Sequence, residues 1–145
     1  MGGRIHVSGA STGAGGADPF IWNDTTNQAL TEVESEGVTL VESTGVFTVD
    51  TGYGGEWLFT FCACMTSTSS NNVITFDLVS DPAGSPTVIM GIDRKVGSGS
   101  DVGAVSLTGI VTAAEGGTFG IRVSGDANLQ LTKAYLSAHQ LGNDQ

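Results

Sequence analysis

Positive charge is scarce in this chain of 145 residues: Arg4, Arg94, Lys95, Arg122 and Lys133 stand against 15 carboxylates, for a formal net charge of −10. A duplex DNA binder needs Lys and Arg to displace counterions from phosphates. Five scattered cations form no such stripe, so direct nucleic-acid binding is excluded, and the same repulsion excludes docking on anionic lipid. Apolar runs are short as well. None reaches the roughly 18 residues of a membrane span. The N-terminus lacks the charged-then-apolar pattern of a secretory signal, and His6 stands where a myristoylation motif requires Ser or Thr.

Cysteines number two and prolines three. On a strand, Cys62 and Cys64 share one face with Cβ atoms roughly 6.5–7 Å apart, beyond the ~4 Å of a disulfide. No further cysteine completes a zinc site. They are expected to be small buried hydrophobes. Helical periodicity is also missing: no stretch longer than about eight residues repeats its apolar groups every 3.6 positions.

What is present is glycine, at 22 residues, and runs of Val, Thr, Ser and Phe in short alternating segments. Such runs, separated by turn-forming residues, describe an all-β domain. The richest segment is Gly55–Met65. Trp57, Phe59, Phe61, Ala63 and Met65 fall on one face, with Leu58, Cys62 and Cys64 on the other beside Glu56 and Thr60. A strand with one wet face alternates with polar residues, and this one mostly does not. Its second face needs a cover, from its own domain or from another copy of the chain.

Further strands are expected around Phe20–Trp22, Val38–Val41, Val46–Val49, Val73–Val79, Thr87–Asp93, Ala104–Thr112, Thr118–Ser124 and Leu129–Leu141. The last changes parity near Lys133, which signals a bulge or a strand covered on both faces. Eight or nine short strands imply an antiparallel two-sheet jelly-roll sandwich over residues 18–145. Residues 1–17 are low in complexity and dense in glycine. They are expected to be a flexible N-terminal arm, with Arg4, Ile5, His6 and Val7 as its only bulky residues.

Signs of catalysis are absent. Gly9-Ala10-Ser11-Thr12-Gly13 matches G-x-S-x-G by letters, but the motif works only between a strand and a helix. His6 and His139 lie far apart in sequence, and neither HExxH nor HxH occurs. The expectation is a non-enzyme with no catalytic residue, no metal site and no cofactor. Residues 1–56 hold eight carboxylates and one cation, whereas 57–145 hold seven and four. That acidic half suits either solubility or a basic partner. Within it Glu32, Glu34 and Glu36 alternate and share a face, as a solvated edge, a contact for a basic partner or part of a calcium site.

From Phe20 to Leu141 the order of motifs resembles the jelly-roll heads of the tumour-necrosis-factor-like superfamily, including complement-type globular heads. The matching segments are Thr44–Val49, Gly55–Phe59, Val105–Val111, Phe119–Val123 and Ala134–Leu141. The corner between the third and fourth reads Glu115-Gly116-Gly117, where the family carries Gly-Asp. The resemblance implies a homotrimer with aromatic residues packed around the axis. Phe20, Trp22, Phe47, Trp57, Phe59 and Tyr135 are the candidates for core and trimer interface.

Comparable stalkless trimers occur as decoration (cement) proteins of phage capsids. The expected function is therefore a virion structural protein, made in the host cytoplasm and placed on the capsid exterior, where it binds the major capsid protein and stabilises the shell. Arg4, Ile5, His6, Val7, Glu32, Glu34 and Glu36 are the candidates for capsid contact. The other reading is a phage tail-fibre or spike head that binds a receptor or carbohydrate.

Overall fold

The computed structural model describes residues 2–12, 28–41, 44–67, 71–97, 101–126 and 128–142. Among them are ten strands: β1 (Arg4–Thr12), β2 (Gln28–Glu36), β3 (Val38–Val41), β4 (Val46–Val49), β5 (Gly55–Ser67), β6 (Asn72–Ser80), β7 (Thr87–Val96), β8 (Val102–Ala113), β9 (Thr118–Ser124) and β10 (Leu129–Gln140). All pair antiparallel, in two five-stranded sheets. Sheet one runs β2-β1-β10-β5-β8 and sheet two β3-β4-β9-β6-β7. The chain passes repeatedly from one sheet to the other, joining edge strands at β2–β3 and β7–β8 and interior strands at β4–β5, β5–β6 and β9–β10, the wiring of a jelly roll.

The β2–β3 crossover turns on Gly37, whose φ of 78° lies in the left-handed region. A Cβ there would run into the Tyr53 ring. Glycine meets both the conformational and the steric demand.

The core lies between the sheets. Sheet one contributes Ile5, Val7, Trp57, Phe59, Phe61, Met65, Leu131 and Leu136; sheet two contributes Phe47, Val49, Ile74, Phe76, Leu78, Phe119, Ile121 and Val123. Phe119 anchors it, stacked on Phe47 at 5.3 Å and meeting Phe59 edge-on at 4.6 Å. Offset and edge contacts of this kind add to the value of area burial. The parity change expected near Lys133 is a register shift between Leu131 and Lys133. It lets Leu129 and Leu131 before it, and Ala134, Leu136 and Ala138 after it, all face inward.

Two expectations are corrected. Part of the presumed flexible arm, Arg4–Thr12, is strand β1, paired on one side with β10 and on the other with β2. Glycine content suggested an arm, but Ile5 and Val7 alternate with polar residues and are fully buried. Two ladders then satisfy the backbone groups between them. Residues 13–17, with the proposed boundary at 17/18, and Phe20 and Trp22 lie outside the described residues.

The second correction concerns the two cysteines. Cys62 is exposed and Cys64 half-buried, because their parity on β5 points away from the core. Within a single subunit nothing covers them among the described residues.

Candidate functional site: the outer face of sheet one

Register decides which side chains meet on the outer face. Arg4 on β1 pairs with His139 on β10, which pairs with Leu58 on β5, which pairs with Ile110 on β8. The next row is His6, Ser137, Thr60 and Thr108, and the one after it Ser8, Tyr135, Cys62 and Ser106. Lys133, Cys64 and Ala104 complete the face. Beside β1, β2 sets Glu36 opposite Arg4 and Glu34 opposite His6.

The face divides into two zones. Near the β10 bulge a shallow depression of about 580 Å³ is lined by Gly9, Cys62, Cys64, Ala104 and Tyr135, with Lys133 at its side. Small residues on neighbouring strands leave it empty, and its walls are mostly carbon and sulfur. Val102, 62% exposed, extends the apolar surface onto edge strand β8, and Ile110, 59% exposed, stands at the far end of that strand in the row of Leu58 and His139.

Toward the other end stands a polar cluster. The Tyr135 hydroxyl and His6 Nδ1 share a hydrogen bond at 2.9 Å. The rings of His6 and His139 are in edge contact, with centroids 5.1 Å apart. Arg4 is drawn aside by Glu34 at 3.4 Å and Glu36 at 3.1 Å.

The sequence candidates now separate. Phe47, Trp57 and Phe59 are buried between the sheets, while Tyr135 is 36% exposed on the outer face. Of the seven residues offered for capsid contact, Ile5 and Val7 are removed by complete burial. Arg4, His6, Glu34 and Glu36 stand together at the β1–β2 side, and Glu32 occupies edge strand β2, opposite Ser8. His6 and His139, 133 positions apart in the sequence, are brought together by β1–β10 pairing. His6 was read as part of a flexible arm, so neither its facing nor the place of β1 beside β10 was legible in the sequence.

No group of three or more metal-ligating side chains occurs among the described residues. The arrangement can bind; what it offers is an apolar hollow beside a compact charged and aromatic cluster.

Solved structures share this architecture. Eiger TNF from S. frugiperda superposes with a TM-score of 0.71 at 11% identity, covering 98% of this chain and 94% of that one. Murine APRIL does so at 0.65 and 11% identity, covering 97% of this chain and all of that one. The fold is the TNF-like jelly roll. Neither a protein-family profile nor a curated protein matches the chain.

Proposed function

We propose that this TNF-like jelly roll is a structural protein that works as a homotrimer joined through the outer face of sheet one, and that the trimer decorates and clamps a phage capsid. The observation that carries the reading is the uncovered apolar zone of Cys62, Cys64, Ala104, Tyr135 and Val102 on that face. Contiguous exposed apolar surface marks an interaction site.

Charge supports a second copy as the cover. Arg4 and Lys133, two of the chain's five cations, stand on this face together with both histidines, whereas the whole chain carries −10. Arg4 is neutralised there by Glu34 and Glu36, but the hollow is lined by Lys133 and by no carboxylate among the described residues, which suits the acidic surface of another copy. A contact between two different patches of the same chain closes into a three-membered ring when each copy is turned 120° from the last.

The mechanism is multivalent. A three-fold ring seated on a three-fold junction of a shell engages three weak sites at once, and each bound subunit raises the effective concentration of the others. Glu34 and Glu36, with Arg4, form the polar contact set at the β1–β2 edge.

Sedimentation equilibrium at micromolar concentration tests assembly, with a trimer expected. Cys62 gives a second readout: its thiol should resist Ellman's reagent in the native protein and react fully after dilution into dissociating conditions. Tyr135→Asp should yield folded monomers. A native protein that is monomeric at micromolar levels, with a freely reactive Cys62, refutes the assembly. Co-sedimentation with purified undecorated phage heads tests the setting, and binding to cells or glycans instead would favour a receptor-binding head.

A further inference from the structure

We propose that His6 and His139 form a binding site for one borderline divalent metal ion of the zinc, nickel or copper kind. The inference goes beyond the assembly reading and does not depend on it.

Geometry is the first support. Metal–nitrogen bonds run about 2.0–2.1 Å, and a ring nitrogen lies about 1.1 Å from its centroid, so two imidazoles on a tetrahedral ion have centroids roughly 5 Å apart. The observed separation is 5.1 Å. The ring planes stand 87° apart, which a metal accepts because each imidazole turns freely about its own metal–nitrogen bond.

The second support is the environment of His6. Metal-ligating histidines characteristically hold their other ring nitrogen in a hydrogen bond, which fixes tautomer and orientation. Tyr135 does this at Nδ1, at 2.9 Å; in the tautomer whose Nδ1–H donates to the phenol oxygen, Nε2 carries the lone pair that binds the metal. Electrostatics also permit a cation here. Arg4, the nearest fixed positive charge in the register, is paired with both Glu34 and Glu36, so the cluster is not net positive. Imidazole selects zinc, nickel and copper over magnesium and calcium, which prefer oxygen. Water, or a donor from a neighbouring copy, completes the coordination shell.

Calorimetric titration of the metal-free full chain with zinc chloride and nickel chloride tests the site. One ion per chain is expected, with dissociation constants near micromolar and no response to magnesium chloride. His6→Gln and His139→Gln should each weaken binding at least tenfold while leaving the circular dichroism spectrum unchanged. Tyr135→Phe should weaken it by about tenfold, as loss of an outer hydrogen bond does.

Cys62→Ser with Cys64→Ser should bind as the native chain does. Retained affinity in the double histidine variant, loss of it in the cysteine variant, or equal binding of magnesium would overturn the proposal. Sedimentation in the same samples keeps the two ideas apart: a monomer that binds zinc refutes only the trimer, and a trimer indifferent to zinc refutes only the site.

Discussion

Replacing Gln140 with leucine removes a hydrogen-bond hub that closes the sandwich at one end. Gln140 is 8% exposed and ends β10. Its Oε1 accepts from the Gly3 amide at 3.0 Å, and its Nε2 donates to the carbonyls of Tyr53 and Gly54 at 3.2 and 2.9 Å. One amide group thus ties the start of β1 and the turn before β5 to the last strand.

Leucine keeps the volume and loses every bond. The Tyr53 carbonyl retains the Trp57 indole N–H at 3.1 Å, so two backbone groups, Gly3 N–H and Gly54 C=O, lose the partner they have here. Leaving a buried polar group unsatisfied costs about 1–3 kcal/mol. The substitution should therefore cost roughly 2–5 kcal/mol, reduced if water reaches Gly54. With a urea slope of about 2 kcal/mol/M, the middle of the range for small domains, the unfolding midpoint should fall by roughly 1–2.5 M at equal protein concentration. Amide exchange at Gly3 should accelerate first. A midpoint within about 0.2 M of the native value, with Gly3 still protected, would refute the reasoning about unsatisfied groups.

Phe119→Ala should cost about 3–5 kcal/mol in the same urea assay, because it opens a cavity and breaks ring contacts to Phe47 and Phe59 together; a loss below about 1 kcal/mol would mean the sheets collapse onto the gap. Gly125→Ala should destabilise by about 1–3 kcal/mol, since Gly125 has φ of 104° and a Cβ would strike the Val73 carbonyl oxygen; unchanged thermal stability would show the turn can re-form. Arg4→Gln should change stability by less than about 1 kcal/mol, and less still in high salt, because both ion pairs are substantially solvated. A larger effect in chemical denaturation would mark the Arg4–Glu34–Glu36 group as more than a surface pair.

Local chemistry made most of the strands legible. Thr118–Ser124 was bounded to the residue, and the Val38–Val41 and Val46–Val49 strands likewise, because alternating apolar residues between turn formers leave few other options. The β10 bulge announced itself as a change of parity at Lys133. The candidate site was legible only in part. The two-sided character of β5 pointed to an uncovered face, but Cys62 and Cys64 were assigned to a buried environment when the fold of one subunit leaves them open. Nor could glycine count distinguish an arm from β1, whose two buried residues hold it in the sheet.

By itself the sequence determined what depends on neighbours along the chain: strand positions, which side chains share a face, the all-β class and the absence of a basic surface. Only the tertiary structure decided which strands lie side by side. That choice set His6 against His139 and Tyr135, placed β1 inside sheet one between β2 and β10, and opened the hollow between Gly9 and Ala104. The physical reason is that parity is fixed by the covalent geometry of a strand, whereas strand neighbours are fixed by burial summed over the whole sandwich, in which residues more than a hundred positions apart compete for the same place.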